Sequence, residues 1–195
     1  MEWKEAWPLI DSVPGWMTEE ESKFLFDAVS NCTPNGVIVE IGSYLGRSTT
    51  ALVLGIRNSQ QKINLPLVYT IDPFTAWVAK KPNNINISGP NWTYPQFIEN
   101  MRKIDAMNIV RPLVMTSKDA RVNWDMKIRF LFIDGNHDYD FVKDDYEGWF
   151  PHVSKGGIIA LHDTITWEGP KKIVEEKFKG MQILKAGEIS AVQKM

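Results

Sequence analysis

Apolar residues along the chain follow two rhythms, short unbroken runs and longer stretches in which they recur every three or four positions. The runs are residues 37–42 (VIVEIG), 67–72 (LVYTID), 110–115 (VRPLVM), 128–134 (IRFLFID) and 156–163 (GGIIALHD). Rich in β-branched and aromatic residues and too short for helices, they suit strands buried on both faces. Pro112 predicts a late start for the third strand, because proline cannot donate to a ladder. Between the runs the spacing turns helical. Thr18 followed by Glu21 is a capping-box pattern opening a helix over 18–30, with Phe24, Leu25, Ala28 and Val29 on one face. Further helices are predicted over 46–56, over 95–107 behind Pro95 with Phe97, Met101 and Ile104 as its stripe, over 139–149 through Val142, Tyr146 and Trp149, and over 170–178. Residues 182–193 read as a hairpin of two weaker strands.

Strands alternating with helices predict an α/β fold, a mostly parallel sheet with helices on both faces, whose ligands bind beyond the carboxyl ends of the strands. The 195 residues suit a single domain, 1–195, with an N-terminal helical extension over 1–32. Residues 1–17 would cap a site, pair with a second subunit in a homo-oligomer, or cover the sheet. The long irregular stretch 73–94 reads as a lid or substrate loop.

Composition narrows the classes. A net charge of −2 offers no basic footprint for nucleic acid. One cysteine, Cys32, excludes an internal disulfide and suits a reducing compartment. The first residues lack the apolar core of a signal peptide, and no stretch is long enough to span a bilayer. A cytoplasmic protein that binds neither nucleic acid nor membrane is expected. The tryptophans, eight in number, read first as core filling and amphipathic anchors, with a cleft lining as the functional alternative for some.

The strand ends carry the chemistry. They bear Glu40 and Gly42, Asp72, Thr116 with Ser117, Asp134, and His162 with Asp163, so four of the five end on or beside an acid. A carboxylate at the edge of a core is costly unless it is paired, hydrogen-bonded or bound to a metal. Gly42 and Gly46 allow a tight turn and close approach of a ligand, and the helix after them offers free amides to an anion. The turn lacks the glycine fingerprint of a dinucleotide binder, which disfavours a NAD-dependent dehydrogenase. Residues 135–138, GNHD, also occur in metallophosphoesterases. Those sites need an upstream Asp-x-His pair, and no histidine here precedes His137.

VEIGSYLGRST, YTIDPF and FIDGNHDYDFVKDDYEGWFPHVSKGGIIALHDT together resemble the class I S-adenosylmethionine-dependent methyltransferases. The branch resembled includes macrocin O-methyltransferase and cephalosporin-hydroxylase-type proteins, and the likeness spans roughly 17–165. It implies a Rossmann-like fold with a seven-stranded sheet and a C-terminal antiparallel hairpin. It also implies an S-adenosylmethionine site in which Glu40 lies near the methionine cation, Gly42, Ser43, Gly46, Arg47 and Ser48 hold the carboxylate, Asp72 takes the ribose, and Ser117 lies beside the adenine. Asp134 would border the donor and bind a divalent cation together with Asp163 and His162. His137, three residues after Asp134, would be the general base. Magnesium is the implied ion, but His162 stands where several relatives carry an acid. A nitrogen ligand there suits manganese or iron better; otherwise His162 stands behind the ligands.

The implied activity is a metal-assisted O-methyltransferase acting on a hydroxyl of a small molecule or sugar, with Trp77, Trp92, Tyr94 and Trp167 as candidate stacking surfaces. The alternatives are a metal-independent methyltransferase, a related enzyme using the metal for other chemistry, and a donor-binding domain without turnover. The acidic run Asp138, Asp140, Asp144 and Asp145 reads as a solvated face and helix-dipole partners.

Overall fold

The computed structural model describes residues 1–32, 35–59, 65–75 and 92–195. Seven strands form one sheet: β1 (Val37–Ile41), β2 (Val68–Ile71), β3 (Val110–Leu113), β4 (Ile128–Ile133), β5 (Val153–Leu161), β6 (Leu184–Ala186) and β7 (Ile189–Gln193). Their order is β3-β2-β1-β4-β5-β7-β6. The first five run parallel, whereas β7 is antiparallel to β5 and to β6. The helices are α1 (Trp3–Asp11), α2 (Glu19–Asn31), α3 (Arg47–Asn58), α4 (Tyr94–Lys103), α5 (Ser117–Ala120), α6 (Tyr139–Trp149) and α7 (Glu168–Lys177). None of the described helices is long and apolar enough to cross a membrane.

Alternation along the central strands builds two cores from one apolar run. Ile38, Phe130, Phe132 and Ala160 pack with Leu25, Phe26 and Val29 of α2, Leu52 and Val53 of α3, and Phe97 and Met101 of α4. Val39, Leu131, Ile133, Ile159 and Leu161 face the other way, onto Val142, Tyr146 and Trp149 of α6 and Ile173 of α7. The strand order reverses between β1 and β4, and such a reversal opens a crevice at the carboxyl ends.

Several boundaries differ from the sequence pattern for physical reasons. β3 does not start late: Pro112 lies inside it, opposite Thr70. The strand sits at the sheet edge, where a missing N–H leaves no partner unsatisfied. β3 ends at Leu113, and Thr116 then caps the short α5 by accepting the Asp119 N–H. α4 stops at Lys103 because Asp105 takes a left-handed φ of 52°. β5 runs from Val153 to Leu161, so His162 and Asp163 lie beyond the strand. The stretch 73–94 falls mostly outside the described residues, including Trp77.

The N-terminal residues pack on α2 and α3 and then reach the crevice. α1 buries Ala6 and Ile10 against the core, and Trp3 stacks on Trp7 at 5.8 Å while meeting the edge of Phe26. Pro14, Gly15, Trp16 and Met17 then cross to the crevice and form part of its wall. Arg47 ties this strap down. Its guanidinium donates to Asp11 Oδ1 at 2.7 Å and to the Val13 carbonyl at 3.0 Å, and it lies over the Trp7 ring.

Arg47→Met keeps the aliphatic volume and removes these bonds. We expect it to cost about 1–2 kcal/mol in urea unfolding and to hasten limited proteolysis within 11–17. Unchanged cleavage and stability would mean that the strap is held by α1 packing alone.

Candidate active site

The carboxyl ends of β1, β2, β4 and β5 surround a cavity of about 780 Å³. Its floor depends on one glycine. Gly42 has a φ of 84°, and a side chain there would run into the backbone carbonyl of Asp134. Only glycine therefore lets the end of β1 lie against the turn after β4. The chain turns through Ser43–Gly46 into α3, and Asp72 organises that turn. Its Oδ2 accepts the Ser43 and Tyr44 N–H groups, both at 2.8 Å, and Oδ1 accepts that of Phe74 at 2.6 Å. Three of the roughly four lone-pair directions of the carboxylate are used in this way, and Asp72 borders the cavity.

Gly42, Ser43, Arg47, Ser48, Asp72, Ser117 and Asp134 all reach the cavity wall. Gly46 does not border it; with a φ of 91° it starts α3 just behind. Arg47 is on the wall; its Nη1 and Nη2 donate to Val13 and Asp11, while its buried Nε has no hydrogen-bond partner among the described residues. Glu40 is not on the wall. The alternation of β1 turns it toward α3, where it is fully buried and Thr49 Oγ1 donates to it. Burial pushes its pKa up to about 7, against the hydroxyls of Ser48, Thr49 and Ser43, which favour the charged form.

Four polar side chains converge between β4 and β5. One atom from each of Asp134, His162 and Asp163 lies within 4.8 Å of the other two. His162 Nδ1 is 3.2 Å from Asp134 Oδ1 and 3.5 Å from Asp163 Oδ2. His137 Nε2 lies 3.0 Å from Asp163 Oδ2 and 3.8 Å from Asp134 Oδ1. Neighbouring strand residues would point to opposite faces, yet His162 and Asp163 reach the same spot. They can because β5 has ended and Asp163 adopts a left-handed φ of 58°.

Charge balance in this cluster rests on the histidines. Burial disfavours an imidazolium at His137, but the carboxylates of Asp134 and Asp163 outweigh it and raise its pKa to about 9. His162 is likewise raised despite burial, chiefly by Asp134. Asp163 is held low against its own burial by the two imidazoles that face it. Two carboxylates beside a buried imidazole nitrogen that makes no well-directed hydrogen bond form a donor set that fits a divalent cation.

Of the aromatic candidates, Trp167 borders the cavity, with its ring 4.7 Å from that of His137. Trp92 and Tyr94 do not. Tyr94 packs edge-on against buried Phe74, and Trp92, 61% exposed, stacks on Tyr94 outside. Trp77 lies outside the described residues.

Pro14–Met17, for which the sequence pattern left capping of a site as one of three possibilities, line the cavity. Asp145 corrects the expectation of a solvated acidic face, and Glu21 adds a contact. Asp145 is buried, borders the cavity and has its pKa raised by burial to about 6. Its signal was a charge on the stripe Val142–Tyr146–Trp149 rather than on the solvated face. Glu21, legible only as a helix cap, also lies 3.6 Å from His162 Nε2.

Residues 39–164 match a family described as a methyltransferase domain, and the chain belongs to that family. Its fold agrees with those of solved methyltransferases. The O-methyltransferase NovP aligns with a TM-score of 0.69 at 19% identity, over 89% of this chain and 77% of that one. The calicheamicin methyltransferase CalS11 aligns at 0.67 and 15% identity, over 98% and 90%. An O-methyltransferase from Bacillus cereus aligns at 0.65 and 17% identity, also over 98% and 90%. The protein is therefore a class I methyltransferase.

The buried charge of Glu40 leads to a pH-dependent prediction. Its folded pKa of about 7 lies above the ordinary 4.5, so the folded state favours the neutral acid. Stability is lost as pH rises from 4.5 to 7 and is constant above that, a loss of up to about 3 kcal/mol. Glu40→Gln removes the ionisation. It should stabilise the protein to urea at pH 8 and change little at pH 4.5. An equal effect at both pH values would contradict the assignment.

Proposed function

We propose that the protein is an S-adenosylmethionine-dependent O-methyltransferase, assisted by a divalent cation and acting on a hydroxyl of a small molecule or sugar in the cytoplasm. One observation carries this reading: a single cavity joins the glycine turn at 42–46 to the cluster of Asp134, His162 and Asp163, with His137 at its edge. The solved structure from Bacillus cereus is a complex with S-adenosylhomocysteine, and CalS11 is described as a TDP-rhamnose 3'-O-methyltransferase. Both support a sulfonium donor and a hydroxyl acceptor here.

Within this reading Ser43, Ser48 and the amides opening α3 receive the carboxylate of the donor. The remaining acceptor direction of Asp72 meets the ribose, and Ser117 borders the adenine. Asp134, Asp163 and His162 would hold the cation, which supplies Lewis acidity that lowers the pKa of an acceptor hydroxyl. His137 takes the hydroxyl proton at Nε2. The two carboxylates that face His137 raise its pKa to about 9, which favours its protonated form at neutral pH. A cation held by Asp134 and Asp163 would offset that pull and favour His137 as the neutral base. Trp167, packed on the imidazole, keeps it facing the cavity and gives the acceptor an apolar surface.

Removing the base should therefore separate chemistry from binding. We expect His137→Gln to lower kcat about 10²–10⁴-fold while S-adenosylhomocysteine binds in calorimetry as it does to the wild type. Chelation with EDTA should abolish transfer, and added Mn²⁺ or Mg²⁺ should restore it. Full activity in EDTA would leave a metal-independent methyltransferase, and donor binding without turnover on any hydroxyl would leave a binding domain.

A further inference from the structure

Glu21 lies in the first turn of α2, far along the chain from the cluster, and is 2% exposed. Its oxygens divide between three elements. Oε2 accepts the Thr18 N–H at 2.7 Å, closing the capping box of α2. Oε1 accepts the Glu188 N–H at 2.8 Å from the β6–β7 turn. The same Oε1 faces His162 Nε2 at 3.6 Å. The hairpin can come this close because its turn carries Gly187, where a Cβ would lie 2.6 Å from Oε1. Leu25 and Phe26 bury the next turn of the same helix in the core, so the carboxylate stands on a fixed post.

An imidazole has two nitrogens on opposite sides of its ring. A carboxylate on one side selects the tautomer that carries its hydrogen there and turns the other lone pair the opposite way. At His162 the second nitrogen, Nδ1, faces Asp134 and Asp163. The ring is packed against Phe132 at 6.2 Å and is 5% exposed, so it has little room to turn. Carboxylates behind metal-bound histidines act in this way, fixing the ring and raising its basicity.

We propose that Glu21 is a positioning residue that presents His162 Nδ1 to the cation, giving a site of one nitrogen and two carboxylates that prefers Mn²⁺ to Mg²⁺. The proposal rests on the cation of the preceding section and adds which side chain sets its selectivity. Mg²⁺ favours oxygen donors and near-ideal octahedral geometry, whereas imidazole suits the later divalent ions.

The test uses the full chain loaded with Mn²⁺ and with S-adenosylhomocysteine. Pulsed EPR should show ¹⁴N coupling from a directly bound imidazole, and His162→Gln should abolish it. Competition with a chelating dye should show Mn²⁺ bound at least about tenfold more tightly than Mg²⁺. Glu21→Gln, which keeps an acceptor for the α2 cap or the hairpin, should weaken Mn²⁺ about 10–100-fold and leave S-adenosylhomocysteine affinity unchanged. Wild-type protein that binds Mn²⁺ without ¹⁴N coupling would overturn the proposal and leave the cation reading intact. So would a Glu21→Gln variant that binds Mn²⁺ as the wild type does. Failure to bind any divalent ion would overturn both, and retained S-adenosylhomocysteine binding would then preserve the donor site alone.

Discussion

Two carboxylates are brought together at the inner ends of adjacent strands, and the surrounding structure is arranged around the cost of doing so. A carboxylate oxygen of Asp134 and one of Asp163 lie within 4.8 Å of each other. At an effective dielectric constant near 20 the repulsion of two such charges is about 3.5 kcal/mol, a large share of the stability of a domain. His137 and His162 lie against both acids, and the carboxylates raise the pKa of each imidazole, which favours the charged form that offsets this repulsion. A divalent cation would do the same with more charge in less space, and would free His137 to accept a proton.

Local conformations that a chain ordinarily avoids gather around this point. Tyr44, Phe74 and Asp163 all have positive φ, and they follow β1, β2 and β5 respectively. Left-handed backbone costs a non-glycine residue roughly 1–3 kcal/mol and persists where surrounding structure enforces it. Here the enforcing contacts are visible. Asp72 accepts the Tyr44 and Phe74 N–H groups. Glu188 binds the N–H groups of Ile165 and Thr166, just after Asp163. The C-terminal hairpin therefore extends the sheet and also braces the loop that carries Asp163 and Trp167.

The layout of strands was legible because each central run is apolar on both faces and ends on a polar residue. Phe130 to Ile133 could be assigned to a buried strand, and Asp134 to its mouth, from spacing alone. Side-chain destinations were less legible, because they depend on partners distant in sequence. Nothing in the sequence pairs Arg47, expected at the donor carboxylate, with Asp11, which accepts its Nη2. Trp92 and Tyr94 looked like a stacking surface, but Phe74 draws Tyr94 away from the cavity. Pro112 was misleading in the other direction, since an edge position makes it harmless. The capping box at Thr18 was readable as a local device; that one oxygen of Glu21 also faces His162 depends on how α2 packs across the sheet.

The claim beneath the rest is that a cation belongs between the ends of β4 and β5, next to a nucleoside-bearing sulfur compound. Anomalous diffraction from a crystal soaked with Mn²⁺ and S-adenosylhomocysteine addresses it most directly. The account predicts one peak bounded by Asp134, His162 and Asp163, with the nucleoside in the same cavity against the 42–46 turn. A map with the nucleoside present, no peak between those side chains and both histidines still resting on the two acids would contradict it.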